Sequence, residues 1–295
     1  MKIGLAGTGR MGAAIVARLM EKGHELTVWN RSADKVKPLV DAGAKGAATP
    51  KALAEQSELI ITILSNAEAI DAIYGGAAGL LAGNVKGKLF VEMSTVRPEA
   101  EVALAAKVQA AGAALIDCPV GGTTGPAREG KLLGFVGGSD ADVTRAKPVL
   151  DQMCRRVEHV GKIGAGASMK LAINLPLLVY WQTLGEALSL IQPLGLDPAR
   201  VMDILSDTSG GPNMLKNRAP AIAKVLGGEE IGPPTMDIDL MRKDIRTMLD
   251  EAKSLGVSLP VTERALGVFD DAAKAGMGGA DAIRMPAHWL KSQKQ

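Results

Sequence analysis

The segment GAGASMKLAINL, residues 164–175, holds one lysine and one asparagine in an otherwise uncharged apolar stretch, and no charged residue follows Lys170 until Glu186. Because a lysine loses hydration on entering such a segment, a functional reason is expected. Residues 170 and 174 share one helix face, which would point both groups into the same cleft. Desolvation and the positive helix end would lower the lysine pKa from ~10.4 towards the range useful for proton transfer near neutral pH. The alternative is a surface lysine whose stem covers apolar groups at a domain boundary.

A second chemical pattern lies at the N-terminus, where IGLAGTGRMG contains G-x-G-x-x-G as Gly7, Gly9 and Gly12, with Arg10 and Met11 between the last two. The glycines follow an apolar strand and open a helix, and a second strand ends about 20 residues later, as a dinucleotide-binding unit requires. Gly7 would permit the tight turn, Gly9 the approach of a pyrophosphate, and Gly12 the packing of helix on strand. The pattern predicts a nicotinamide dinucleotide site to which Arg10 and Met11 contribute together with the three glycines, against the alternative of a glycine turn used for packing alone.

The residues after that second strand bear on the cofactor. An NAD-preferring site usually has an Asp or Glu there, which accepts hydrogen bonds from the ribose hydroxyls. This chain has Asn30, Arg31 and Ser32 instead, followed by Lys35. A carboxylate would repel a 2′-phosphate, whereas a guanidinium binds it through paired hydrogen bonds. The sequence therefore predicts that NADP(H) is preferred over NAD(H); the alternative is a solvated turn with incidental charge.

Three further segments occur in a defined order. They are the loop DCPVGGTTGPAREG at 117–130, the pattern G-x-G-x-x-x-K-x-x-x-N ending at Asn174, and the pair Lys243-Asp244. Together with the N-terminal glycines they resemble the β-hydroxyacid dehydrogenase family over essentially the whole chain. That family includes 3-hydroxyisobutyrate and tartronate semialdehyde dehydrogenases and glyoxylate/succinic semialdehyde reductases, and 6-phosphogluconate dehydrogenase is a larger relative. The resemblance implies an NADP-dependent enzyme that transfers hydride between the cofactor and a small β-hydroxyacid or its aldehyde or keto form.

The resemblance also implies roles for individual residues. Lys170 is the general acid/base, and Asn174 helps to hold it and the substrate. Lys243 reaches the cofactor from the helical half of the chain. The remaining cofactor positions are at the ends of two strands: Ser94 and Thr95 in the family's M-S-T segment beside the nicotinamide ribose, and Leu64 and Ser65 after the preceding strand, where Ser65 replaces a common proline.

The substrate loop departs from the family pattern. The family usually has D-x-P-V-S-G-G, and its serine helps to hold the substrate, but this chain has Gly121 at that position. The backbone amides of Gly122 and Thr123 could still cradle an anion, and Thr123 could supply a hydroxyl from a shifted position. Met236 stands where the family often has a phenylalanine. We interpret these departures as a changed substrate preference with the chemistry retained.

The elements that position these residues follow from the apolar pattern. Up to about residue 161, apolar strands alternate with helices, which predicts a doubly wound, mostly parallel α/β sheet whose last strands run partly antiparallel. Later residues show helical periodicity only, with Pro176 expected to kink the first helix. We therefore predict an NADP-binding Rossmann domain at 1–163 and an all-helical substrate and dimerisation domain at 164–295, joined by a long interdomain helix.

Composition limits the partners. The net charge of +2 gives no basic surplus for nucleic acid or an anionic membrane, and no transmembrane helix, metal-ligand spacing or secretory signal is expected. Two cysteines favour a reducing, cytoplasmic setting. A small carboxylate or carbonyl substrate and a homodimer or homotetramer are the expected partners. The alternatives are a glyoxylate/succinic semialdehyde reductase, an imine reductase-like enzyme, and a non-catalytic NADP-binding scaffold.

Overall fold

The computed structural model describes residues 1–292, and its first part is built on one nine-stranded sheet in the order β3-β2-β1-β4-β5-β6-β8-β7, with β9 paired to β8. Strands β1 to β6 run parallel, and β8 runs antiparallel to β6 and β7. The predicted mostly parallel sheet with a partly antiparallel edge is confirmed. The strands are β1 (Lys2–Ala6), β2 (Glu25–Trp29), β3 (Lys45–Gly46), β4 (Leu59–Thr62), β5 (Leu89–Glu92), β6 (Ala114–Asp117), β7 (Val120–Gly121), β8 (Leu132–Gly137) and β9 (Cys154–Gly161).

Helices cover both faces of this sheet, and side-chain alternation along the strands produces two separate cores. Leu59 and Ile61 of β4 belong to one buried apolar cluster, whereas Ile60 between them belongs to the other. Strands buried on both faces are apolar at nearly every position, which is why they were recognisable in the sequence. The helices are α1 (Arg10–Glu21), α2 (Lys37–Asp41), α3 (Pro50–Glu55), α4 (Ala67–Tyr74), α5 (Pro98–Ala110), α6 (Thr124–Glu129), α7 (Asp140–Met153) and α8 (Ala165–Ile191).

The strand order reverses beside β1, which pairs with β2 on one side and with β4 on the other. In an open parallel sheet the loops at such a reversal leave a crevice outside the carboxyl ends of the strands, where ligands bind. The predicted glycine turn follows β1, and the predicted cofactor residues follow β4 and β5. The topology therefore places these positions together at the carboxyl ends of the central strands.

After β9, the described part of the chain, up to residue 292, is mostly helical, as predicted. By its contacts the chain divides into two units after Leu171, within α8, so that this long helix begins in the first unit and continues in the second. Across residues 1–292, no helix is long and apolar enough to cross a membrane. The later helices are α9 (Pro198–Ser206), α10 (Asn213–Leu226), α11 (Ile238–Ser254), α12 (Pro260–Ala272) and α13 (Met285–Ser292).

Several short elements were not predicted. Helices α3, α6 and α13 and strands β3 and β7 span two to eight residues each, too few for a periodic apolar pattern to be visible. One of them carried a usable signal. Thr49 caps α3 by accepting a hydrogen bond from the Ala52 amide at 3.1 Å, and Pro50 occupies the first helical position. A capping residue followed by proline is a recognised start signal for a helix.

Candidate active site

The glycine turn between β1 and α1 combines two packing glycines with one open position. Gly7 has φ +101°, and a Cβ there or at Gly12 would collide with a backbone carbonyl, that of Ile63 or that of Gly7 respectively. Gly9 precedes α1, is exposed, and a Cβ built on it would have no described atom within 4 Å. Open space directly before a helix N-terminus, where backbone N–H groups are unpaired, suits a pyrophosphate. The residues present thus fit a dinucleotide.

Arg10 and Met11 begin α1 and differ in their surroundings. Arg10 is exposed, whereas Met11 is half-buried and packs against the core on that face of the sheet. Met11 therefore helps to pack α1 against the sheet, while Arg10 is exposed to solvent next to Gly9.

Asn30 connects the glycine turn to the loop after β2. Its Oδ1 accepts a hydrogen bond from the Thr8 amide at 3.1 Å, and its Nδ2 donates to the Ser32 carbonyl at 3.2 Å. The Thr8 hydroxyl in turn donates to the Lys35 carbonyl at 3.1 Å. Asn30 therefore has a structural role that its sequence position did not reveal. An ionised aspartate at this position could accept from the Thr8 amide but could not donate to the Ser32 carbonyl. Arg31 is exposed and Ser32 is half-buried.

The ends of β4 and β5 are joined by the buried Ser94, whose Oγ accepts a hydrogen bond from the Leu64 amide at 2.7 Å. Two of the predicted cofactor residues are thus in direct contact. The neighbouring Ser65 is exposed and Thr95 is half-buried, next to the carboxyl ends of β4 and β5. The predicted nicotinamide side of the site has a defined backbone geometry.

A buried polar network lies beneath the carboxyl ends of β4 and β5. Glu92, fully buried in β5, accepts hydrogen bonds from the Ser94 amide at 2.8 Å and from the Thr62 hydroxyl, which also contacts the Tyr74 hydroxyl at 2.9 Å. Burial raises the pKa of Glu92 to about 7, against the opposing effect of hydrogen bonds from Ser94 and Thr62. Glu92 therefore holds the loop that carries Ser94 and titrates near neutral pH.

The substrate loop is partly a strand. Gly121 is in β7, paired with Leu133 of β8. A Cβ at Gly121 would lie 3.5 Å from the Leu133 Cβ and 3.6 Å from the Phe135 ring, both ordinary contacts, so the family's serine would fit here. The exposed Gly122 and the half-buried Thr123 follow and lead into α6. Steric crowding therefore does not explain why glycine replaces the family's serine, and the replacement changes only the chemical groups available at this position.

Helix α8 carries the two residues predicted to be catalytic. Lys170 is half-buried in its second turn, and Asn174, one turn farther along, is 6% exposed. Their spacing of four residues in one continuous helix places them on the same face, as predicted. Pro176, expected to produce a kink, lies within the continuous span of the helix.

The two remaining predicted residues belong to the second unit. Met236 is half-buried just before α11, and its carbonyl accepts a hydrogen bond from the Ala282 amide at 3.2 Å. Lys243 in α11 forms an ion pair with the buried Asp244, with 2.6 Å between Nζ and Oδ1. Asp244 therefore holds the Lys243 side chain in this structure.

Sequence reasoning assigned no role to three buried carboxyl groups, those of Glu92, Glu101 and Asp117, each 0% exposed. The usable signal was an acidic residue at the end of, or within, an otherwise apolar element, since acidic residues are almost never fully buried without a reason. Their partners are distant in the chain, so the sequence alone could not identify them.

Two family models match the chain almost end to end. Residues 2–161 match the model described as the NAD binding domain of 6-phosphogluconate dehydrogenase, and residues 164–288 match that described as NAD-binding of NADP-dependent 3-hydroxyisobutyrate dehydrogenase. The first match covers the sheet and the glycine turn, and the second begins at the segment that carries Lys170.

Individual proteins agree with these matches. The chain is 34% identical to the 3-sulfolactaldehyde reductase of Escherichia coli, covering 95% of this chain and 92% of that protein. It is also 34% identical to the 3-hydroxyisobutyrate dehydrogenase of Pseudomonas aeruginosa, covering 92% of each. A solved structure of a protein named Psf3, in complex with NADP+ and 2-OPP, superposes with a TM-score of 0.86 at 25% identity, over 99% of both chains. The chain is therefore a member of the β-hydroxyacid dehydrogenase family, an oxidoreductase with an NAD(P)-binding Rossmann fold.

Proposed function

We propose that this protein is an NADP-dependent oxidoreductase that interconverts a small β-hydroxyacid and its aldehyde or keto form, with Lys170 as general acid/base. The observation that carries the proposal is the start of α8, where a half-buried Lys170 is followed one turn later by the buried Asn174. A non-catalytic cofactor-binding scaffold would have no use for a lysine and an asparagine at this spacing.

Each residue has its own role in the proposed reaction. When bound, a nicotinamide nucleotide would supply or accept the hydride, and the residues of this chain would hold the substrate and move the proton. In reduction Lys170 donates a proton from Nζ to the carbonyl oxygen, and in oxidation it takes the proton from the hydroxyl group. Asn174 helps to hold Lys170 and the substrate oxygen, and the amides of Gly122 and Thr123 cradle an anionic group of the substrate. The family resemblance assigns Met236 to the substrate pocket and Lys243 to cofactor binding.

The preference for NADP(H) rests on the loop after β2. Arg31 is exposed, whereas Asn30 forms hydrogen bonds with Thr8 and Ser32. The NADP+ named with the solved relative supports the same preference. We expect Arg31→Ala to weaken NADPH binding about ten-fold, because one charge-assisted pair with phosphate is lost, and to change NADH binding little.

Fluorescence titration with both nucleotides measures this effect. Arg155→Ala, which removes an exposed arginine on β9, is the matched control and should leave both dissociation constants unchanged. Tighter binding of NADH than of NADPH by the unaltered protein would refute the preference.

The substrate is the open part of the proposal. The relatives are named for sulfolactaldehyde and hydroxyisobutyrate, both small molecules that carry an anionic group and a reacting oxygen. Turnover should be measured on a panel of small hydroxyacids, semialdehydes, glyoxylate and cyclic imines, with both cofactors. We expect activity on one or more of the hydroxyacids or aldehydes. Reduction of imines alone would favour the imine reductase alternative, for which Gly121 in place of serine is the relevant feature.

A further inference from the structure

Asp117, the last residue of β6, holds the start of helix α8. Its Oδ1 accepts a hydrogen bond from the Gly164 amide and its Oδ2 accepts one from the Ala167 amide, both at 2.8 Å, and the residue is fully buried. Ala167 is in the first turn of the helix, whose N–H groups have no partner within it, and Gly164 directly precedes the helix. One carboxylate therefore caps the helix that carries Lys170, although 47 residues separate Asp117 from Gly164.

The surrounding glycines make room for this carboxylate. A Cβ at Gly166 would lie 2.8 Å from Asp117 Oδ2 and collide with the Phe135 carbonyl, and a Cβ at Gly137 would collide with Oδ1. Gly137 is also the strand partner of Asp117 across β6 and β8. The second glycine of the G-x-G that precedes Lys170 thus serves the contact with Asp117.

The same residue leads directly into the substrate loop, since Gly121 follows four positions after it. Lys170 follows Ala167 by three positions, which places it on the helix face above the bonded amide. We propose that Asp117 is a positioning residue for the reaction: it fixes Lys170 relative to the substrate loop and supplies the negative charge that offsets the positive end of helix α8. This inference rests on the proposed role of Lys170 as general acid/base.

The charge of Asp117 depends on its surroundings. Burial raises the pKa of Asp117 to about 6, while the amides of Gly164 and Ala167 act in the opposite direction. The titratable groups near it are Glu101 of α5 and the thiol of Cys118, and the pKa of each is raised first by its own burial and further by other groups, Asp117 among them. Asp117 is therefore mainly ionised at neutral pH and loses its charge as the pH falls through about 6.

The substitution Asp117→Asn removes the negative charge of Asp117 and retains part of its hydrogen bonding to the start of α8. It retains an oxygen that can accept one amide hydrogen bond, but it removes the negative charge near Lys170. The cation of Lys170 then loses the stabilising effect of a negative charge at the start of its helix, so its proton leaves at lower pH. We expect the limb of the pH profile of kcat/KM that reports Lys170 to move by about 0.5 to 1 unit towards lower pH, in both reaction directions.

A second measurement reports the capped helix directly. Hydrogen exchange of the amides at 164–170, followed by mass spectrometry, should be about ten-fold faster in Asp117→Asn than in the unaltered protein. Asp197→Asn is the matched control, because Asp197 caps α9 through the Arg200 amide at 3.0 Å in the same way. It should change exchange only at its own helix and leave the pH profile in place.

The outcomes distinguish the two proposals. A shifted limb with faster exchange in Asp117→Asn supports the inference, whereas an unmoved limb in a folded, active variant overturns it. Full activity of Lys170→Ala would instead remove the proposed function, and the exchange result would still test the cap. If Asp117→Asn does not fold, the unaltered protein provides the test. After correction for intrinsic rates, its exchange at 164–170 should increase below pH 6, and constant exchange down to pH 5 would overturn the inference.

Discussion

At the scale of single residues, the buried acids of the first unit are the least expected feature. Glu101 is fully buried in α5, and neither of its carboxyl oxygens has a hydrogen-bond partner among the described residues. Burial first, and then the charges of Glu92 and Asp117, raise the pKa of Glu101 well above its ordinary value. Such a group is kept neutral by the fold and makes stability depend on pH.

We expect Glu101→Met to stabilise the protein, and more so at pH 8 than at pH 5. In the folded state Glu101 keeps a proton that the unfolded chain releases above a pKa of ~4.3, so the wild-type free energy of unfolding falls as the pH rises from there. Removing an unsatisfied buried polar group should gain about 1–3 kcal/mol at pH 8. Urea unfolding at both pH values measures the gain.

Glu99→Met, at an exposed position of the same helix, is the control for that substitution. Glu99 forms a surface ion pair with Arg97, and its loss should change the free energy of unfolding by less than about 1 kcal/mol. An equal loss of stability at pH 5 and pH 8 in Glu101→Met would show that the carboxyl group has partners in solution.

At the scale of elements, the glycine turn joins β1, α1 and the end of β4, and its three glycines should respond differently to substitution. Gly9→Ala meets no described atom, so the variant should fold with wild-type stability yet bind NADPH at least ten-fold more weakly, because its methyl group enters the space for the pyrophosphate. Gly7→Ala should instead lower the free energy of unfolding by about 2 kcal/mol or more, since it must adopt a positive φ against the Ile63 carbonyl.

Thermal unfolding and cofactor titration, performed on both variants, separate the two effects. Wild-type NADPH affinity in Gly9→Ala would contradict the assignment of this turn to the cofactor.

The elements also show what sequence could and could not predict. Strands such as β4 and β5, although short, were recognisable because every residue is buried and the run is mostly apolar, and α8 was recognisable because its helical pattern is long. Short elements such as α3 and β7 depend on local caps and on a strand partner elsewhere, which no periodicity records. Likewise, Lys170 and Asn174 were visible from their spacing, but the carboxylate that caps their helix comes from β6. Such contacts between distant segments form only when the sheet packs, so the sequence pattern does not reveal them.

At the scale of the whole molecule, α8 exposes apolar side chains along one face. Ile173 is 40% exposed and Leu190 is 84% exposed, and Pro176 between them is also exposed. A second copy of the chain could cover these groups, and we expect a homodimer or homotetramer in solution. Leu190→Asp should weaken the assembly, because the interface would then bury a charge.

Light scattering after size exclusion, at micromolar concentration, tests this expectation. Val102→Asp is the control, since Val102 is 52% exposed on α5 of the first unit and should not affect assembly. A monomeric wild-type protein would contradict the expectation.

The central claim is that Lys170 is the general acid/base of an NADP-dependent oxidoreductase. The most direct test compares the wild-type protein with Lys170→Ala on the best substrate of the panel, with NADPH affinity measured on both proteins. General acid/base catalysis contributes about 10²–10⁴-fold to rate. We therefore predict that Lys170→Ala loses at least about 100-fold in kcat while its NADPH dissociation constant stays within about three-fold of the wild-type value. Wild-type turnover by Lys170→Ala would contradict the claim.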